Sequence, residues 1–228
     1  MRHLRQSICI CCSLFGLLAS PFFASGNDAL DVDPTQPERQ ILHLCKPDGT
    51  PIRPLVLDEE LKERFDSQGK PEIPADGKWI AFDAWTSDPK RTRQESKIVI
   101  VDFDGQKTTN IIDGSLPSFS PDGKRLVFSR PRRYTNTDGA EGTSIWIMDI
   151  DGGNRMMVAH RGAWGGRWSP DGKSIVFFGG ENENGLTVPK SCLRLFDIES
   201  ETTTNIFSPD DSPFGELSVQ FEWAKDNS

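Results

Sequence analysis

Three segments of this chain read almost alike: Pro71–Phe82 is PEIPADGKWIAF, Pro117–Phe128 is PSFSPDGKRLVF and Gly166–Phe177 is GRWSPDGKSIVF. Their Asp-Gly pairs begin at Asp76, Asp122 and Asp171, 46 and 49 residues apart. A second marker keeps the same period. Lys97–Ile111 (KIVIVDFDGQKTTNI), Ser144–Val158 (SIWIMDIDGGNRMMV) and Cys192–Ile206 (CLRLFDIESETTTNI) place Asp102, Asp149 and Asp197 47 and 48 residues apart. Two independent markers on one period mean a supersecondary unit repeated side by side, each copy needing a neighbour to bury its apolar faces, and a period of roughly 40 to 50 residues is that of a propeller blade.

Each unit divides into four short strands, a to d. Strand a ends near Phe119 or Trp168, and the Asp-Gly pair then turns the chain into strand b: Trp79–Phe82, Leu126–Phe128 or Ile175–Phe177. Asp76-Gly77, Asp122-Gly123 and Asp171-Gly172 are expected to form two-residue turns with both residues at positive φ, which Gly takes freely and Asp tolerates. Strand c is apolar on both faces (IVIV, IWIM), as a sheet sandwiched between neighbours must be. A second turn at Asp104-Gly105 or Asp151-Gly152 leads to strand d. The expected fold is all-β: a β-propeller of about four four-stranded blades, three full and one composite or incomplete. For the fourth, Ile41–Val56 reads as a c–d hairpin turning at Asp48-Gly49, and Ser218–Ser228 as a strand a, with Trp223 matching Trp168 and Asp226 matching Asp171. No strand b is evident there, so a closed monomer, an open arc and a homodimer completing one ring all remain open. Leu57–Gln68 reads as a short helix with Asp58 as its N-cap and Gly69 past its end.

The SPDGK run, followed by an apolar strand and then Asp-x-Asp-Gly, resembles the WD-like repeat of the TolB-like propeller family, over roughly residues 71–228. The family pattern has more blades and a separate N-terminal α/β domain, so the chain resembles a shortened member. The repeat also occurs in peptidases and lyases, so it implies a fold and leaves the task open.

The ends and the charge narrow the task. Arg2, His3 and Arg5 precede an uncharged run, Ser7–Phe23, and then Ala24-Ser25-Gly26, the layout of a secretory signal peptide. The organisation expected is a signal peptide over 1–26, a flexible lead-in over 27–39, an N-terminal hairpin and short helix over 40–70, and propeller repeats over 71–228, in an exported protein of the periplasm or the medium. Membrane contact would then come only through a retained signal anchor. Removing Arg2 and Arg5 from 26 basic residues leaves 24 against 34 acidic ones, a net charge of −10. Such a chain lacks the basic footprint that nucleic acid requires. An envelope or secreted protein, or an anionic glycan, is the expected partner. Cys45 and Cys192 follow the signal, and they either pair or stay buried as thiols.

Chemistry is sparse. There is no Gly-x-Ser-x-Gly elbow and no HExxH, so no catalytic residue, metal or cofactor is expected. His43 and His160 form no close pair and His160 reads as a solvent-facing strand-end residue, while the Asp-x-Asp-Gly runs at Asp102 and Asp149 read as turns rather than calcium loops, because the Gly falls fourth and the third repeat replaces it with Asp197-Ile-Glu-Ser. The b–c loops vary most: Thr86–Glu95, Arg130–Gly142 and Gly179–Lys190. Lys90, Arg91, Arg93, Arg130, Arg132, Arg133 and Tyr134 cluster there on an otherwise acidic protein, and such a set can receive carboxylates or phosphates. The plainer reading is that loops are charged because they are wet. Trp79, Trp85, Trp146 and Trp168 are expected to pack between blades. The function this supports is a non-catalytic interaction or ligand-binding module. The alternative is a carbohydrate-active or metal-dependent propeller, enzyme or sugar binder, with its site in the central channel.

Overall fold

A computed structural model describes residues 9–14, 40–56, 59–86, 96–104, 107–131, 142–180, 184–186, 192–208 and 223–224. Three four-stranded antiparallel sheets follow one another along the chain. Blade 1 holds β4 (Ser67–Glu72), β5 (Trp79–Trp85), β6 (Lys97–Asp102) and β7 (Thr108–Asp113). Blade 2 holds β8 (Ser115–Phe119), β9 (Arg125–Pro131), β10 (Thr143–Asp149) and β11 (Met156–Ala159), and blade 3 holds β12 (Trp164–Trp168), β13 (Ser174–Phe178), β14 (Leu193–Asp197) and β15 (Thr203–Phe207). These are strands a to d of each repeat in order. A three-stranded N-terminal sheet, β1 (Cys9–Leu14), β2 (Gln40–Cys45) and β3 (Pro51–Pro54), stands before them, with helix α1 over Glu59–Arg64.

The sheets stack face to face through three apolar layers. Leu42, Leu44 and Leu55 meet Ile80, Phe82 and Val99 between the N-terminal sheet and blade 1. Ala81, Ile98 and Ile100 meet Leu126, Phe128 and Met148 between blades 1 and 2, and Val127, Ile145 and Ile147 meet Ile175, Phe177 and Phe196 between blades 2 and 3. Alternation along one strand thus feeds two cores, since Ala81 and Phe82 point to opposite neighbours. Arg167 on β12 donates to Glu72 Oε1 on β4 (2.6 Å) and to the carbonyl of Pro117 on β8 (3.2 Å), so the a strands of three sheets converge on one axis. Radially stacked four-stranded sheets with their first strands at the centre are the blades of a propeller.

The a–b turn differs from the expected one. In Ser120-Pro121-Asp122-Gly123 the Gly123 N–H donates to the Ser120 carbonyl (2.8 Å), and Gly123 has φ +69° whereas Asp122 is not in the left-handed region. The turn is therefore four residues long with Pro second and one left-handed glycine closing it, and Pro121 is suited to that place by its fixed φ. Asp122 instead uses its carboxylate, which accepts from Lys124 N–H (3.1 Å) and Ser120 Oγ–H (2.6 Å), and Asp171 repeats both bonds with Lys173 and Ser169. Those bonds hold both carboxyls below the ordinary range.

Each a strand carries a bulge in which two residues face one on strand b: Lys70-Pro71, Leu116-Pro117 and Gly165-Gly166. The first residue of each is left-handed, with φ of 49°, 55° and 72°. Two of these bends join blades. Leu116 N–H donates to Asp83 Oδ1 (2.7 Å), and Gly165 N–H donates to Ser129 Oγ (2.9 Å), where Asp83 and Ser129 occupy the same place in successive b strands. Phe178 holds that place in blade 3 and stacks on Trp164 at 4.9 Å.

The N-terminal sheet departs from expectation in two respects. Its β2–β3 hairpin matches the c–d pairs: it has a bulge at Leu44/Cys45 like that at Ile100/Val101, and Lys46 N–H bonds to Thr50 O as Asp102 N–H does to Lys107 O. β1 pairs along its whole length with the other edge of β2, from Cys9↔Cys45 to Leu14↔Gln40, which is where strand b belongs. The segment read as a signal peptide therefore contains the strand that the fourth blade was expected to lack. The helix is also shorter than expected, because Ser67 and Gln68 are buried as the start of β4, where Gln68 Oε1 accepts the Leu42 N–H (3.2 Å). Cys45 and Cys192 are buried free thiols. Ser218–Ser228 falls outside the described residues except for Trp223 and Ala224, and Trp223 Nε1 donates to the Arg167 carbonyl at 3.4 Å.

Candidate functional site

The b strand of blade 2 runs through Phe128-Ser129-Arg130 toward its end at Pro131, and its alternation sends Phe128 and Arg130 to the face turned toward blade 1. Trp146 lies directly across from Phe128 on β10, and Ser144 across from Arg130. Trp146 Nε1 donates to Ser144 Oγ (2.9 Å), and Ser144 Oγ–H donates to the Arg130 carbonyl (3.2 Å). The indole is thereby fixed with its donor used, and the Arg130 guanidinium sits 5.6 Å from the ring centre. The opposite wall belongs to blade 1. Lys97 and Asp113 face one another across β6 and β7 and form an ion pair, with Ile112 buried beside them. Arg155, ahead of β11, completes the enclosure and donates Nε–H to the Gly152 carbonyl (2.9 Å).

Together these residues line an open groove of about 190 Å³ between the outer strands of blades 1 and 2. Its floor is apolar, Ile112 and Phe128, its middle is the half-buried indole of Trp146, and its rim carries Lys97, Arg130 and Arg155 against the one carboxylate of Asp113. The ion pair consumes Lys97, so the surplus charge rests on Arg130 and Arg155. Such a groove can accept carboxylates through planar guanidinium groups while stacking apolar atoms on the ring.

The central axis gives a second polar cluster of different character. Asp83 is 6% exposed, and burial pushes its carboxyl up to about 7 in spite of the Leu116 N–H, Lys70 and Arg167. Arg167 is engaged by Glu72 and Pro117, and Asp83 by Leu116. These groups clamp blades to one another. No three His, Cys, Asp or Glu residues gather to hold a metal among the described residues. Asp149 and Asp151, considered above as calcium ligands, accept from Asn154 Nδ2 (2.6 Å) and Gly153 N–H (2.8 Å) within their own turn.

Of the residues singled out in the b–c loops, Arg130 is placed in the groove. Lys90, Arg91, Arg93, Arg132, Arg133 and Tyr134 lie outside the described residues. Lys97, Asp113 and Arg155 were missed, and Trp146 was assigned to packing alone. The repeats held the signal. Superposing their b strands sets Arg130 against Ala84 and Gly179, and superposing their c strands sets Trp146 against Val99 and Arg194.

No protein-family profile matches the chain, and no curated protein does. Solved structures match it in fold. A TolB from Acinetobacter baumannii superposes with a TM-score of 0.52 at 18% identity, over 82% of this chain and 41% of its own length. A TolB from Agrobacterium tumefaciens gives 0.53 at 18%, over 75% and 57%. A prolyl endopeptidase gives 0.54 at 16%, over 74% of this chain and 26% of its own. The fold is a TolB-like β-propeller, and the chain spans about half or less of the length of these structures. Among the described residues no helix is long and apolar enough to cross a membrane.

Proposed function

We propose that this chain is an exported, non-catalytic propeller that docks an envelope or secreted partner on the side where the b–c loops leave blades 1 and 2. The observation that carries the reading is the groove: a cationic rim around a fixed tryptophan on a protein with a net charge of −8. Charge concentrated against the sign of the whole surface steers and orients an oppositely charged partner. The arginines of the neighbouring loops, Arg91 and Arg132 among them, extend the same charge along the chain. The channel alternative draws less support, since Arg167, Glu72 and Asp83 are engaged with one another's blades. Export would remove β1 with residues 1–26 and leave one edge of β2 bare, an edge that a second copy of the chain is able to cover. The test is capture of partners from an envelope extract by the purified protein. Reversing charge at Arg91 and Arg132 should abolish specific capture without lowering the melting temperature, and undiminished capture removes this face from consideration.

A further inference from the structure

The geometry points to the ligand class of the groove: we infer that the space between Lys97, Arg130, Trp146 and Arg155 binds an acidic peptide segment in extended form. The inference deepens the docking reading above and rests on it. Arg130 stands opposite Ser144, and Arg155 precedes Met156, which stands opposite Ile147, so the two guanidinium groups issue from opposite ends of the same blade face with the Trp146 indole between them. Their places along β10 are about four residues apart, roughly 13 Å of extended chain. An extended peptide with carboxylates spaced along it meets both, and lays its backbone or an apolar side chain across the ring.

Three features show the groove to be built for this. First, its polar groups are held before any ligand arrives, through Trp146 Nε1 to Ser144 Oγ to the Arg130 carbonyl on one wall and Lys97 to Asp113 on the other. Preorganisation of that kind lowers the cost of ordering side chains on binding. Second, among the described residues neither Arg130 nor Arg155 has a carboxylate partner, while Lys97 does. Third, the repeats act as an internal control. The same fold is built with Ala84 and Val99 in blade 1 at the places of Arg130 and Trp146 in blade 2, so neither the charge nor the indole is demanded by the blade.

That control supplies the test variants. Arg130→Ala and Trp146→Val install what blade 1 already carries, and Arg155→Ala removes an exposed side chain. The probe is an acetylated, amidated hexaglutamate peptide titrated calorimetrically into the full chain at low ionic strength, with chemical-shift mapping of indole N–H signals. Trigalacturonate, acetate and inorganic phosphate are titrated in parallel. The expected result is binding of the peptide that shifts the Trp146 indole signal, and a loss of about tenfold in affinity for each arginine variant, the size of one charge-assisted contact. Wild-type affinity in Arg130→Ala and Arg155→Ala overturns the inference. So does tighter binding of trigalacturonate, which would make the ligand a glycan, or equal binding of acetate or phosphate, which would make it an adventitious ion only. Failure here with loss of extract capture in the Arg91 and Arg132 reversals would leave the docking module standing and remove only its ligand class.

Discussion

Asp83 gives the sharpest quantitative test of the fold. It sits on β5 at the boundary with blade 2, 6% exposed, with its Oδ1 accepting the Leu116 N–H at 2.7 Å. Burial raises its carboxyl from 3.8 to about 7, against the opposing effects of that N–H, Lys70 and Arg167. The folded protein therefore holds this proton more tightly than the unfolded chain does. Its contribution to stability is complete below about pH 4 and is lost as pH rises through about 7. The distance from 3.8 to about 7, at about 1.4 kcal/mol per tenfold change in proton affinity, corresponds to about 4 kcal/mol at most.

Asp83→Asn removes the titration and keeps an oxygen to accept from Leu116 N–H. Asp83→Ser copies Ser129, which does the same work for Gly165 in the next blade. Urea unfolding of wild type and both variants, measured at intervals from pH 4.5 to 8.5, should show the wild type losing stability relative to Asp83→Asn across that window. The variant is then the more stable protein at pH 8.5. Below pH 4 both should weaken together, because Asp76, Asp122 and Asp171, whose turn bonds hold them ionised, become protonated. A wild-type minus variant difference that stays flat from pH 4.5 to 8.5 would refute the reasoning, since it would mean that Asp83 is as well solvated folded as unfolded.

Two further outcomes test the stacking and the fourth blade. A Cβ at Gly166 would lie 2.8 Å from Val127 Cγ2 and 3.3 Å from Ile145 Cγ2, so Gly166→Ala should cost about 1–3 kcal/mol by overpacking the blade 2–3 interface, read as a fall in the urea midpoint. Deleting residues 1–26 removes β1, so amides of Gln40–Cys45 should exchange faster with solvent in the shortened chain than in the full one, unless the shortened chain is found to dimerise by its mass in solution.

The repeat made the blades legible because both of its markers sit at points the backbone cannot vary freely. The Ser-Pro-Asp-Gly-Lys run closes a turn whose glycine must be left-handed, and the strands beside it must be apolar on both faces. Asp-Gly by itself does not disclose the turn's type, since the deciding bond runs from Gly123 back to Ser120 across Pro121. β1 was illegible for another reason: an uncharged run behind two arginines suits a removable leader and a sheet strand alike, and nothing in its composition points to the pairing with β2. Half of the groove was out of view as well. Lys97 and Asp113 are ordinary charged residues at strand ends until the stacking of blade 1 on blade 2 brings them beside Arg130, a contact that no single repeat contains, and Arg155 joins Arg130 only through the pairing of β9, β10 and β11 within blade 2.

Why this junction rather than another should hold a site follows from what fills the same places elsewhere. Between blades 2 and 3 the counterpart of Trp146 is Arg194, which is 6% exposed and lies with its guanidinium 5.8 Å from the Phe177 ring, while Gly179 replaces Arg130. That junction is closed by its own arginine. Between the N-terminal sheet and blade 1 the counterparts are Val99 and Ala84, and they join one apolar cluster with Leu61 and Phe65 from the helix region. That junction is closed by hydrocarbon. Only between blades 1 and 2, among the described residues, does the apolar layer end in an aromatic ring with cations around it and a groove above it. A repeat protein gains a binding site at little cost to its fold by altering side chains at one interface and leaving the backbone of every blade alone. The pair Arg130 and Trp146 has that character, since each replaces a residue that the neighbouring blade shows to be sufficient for folding.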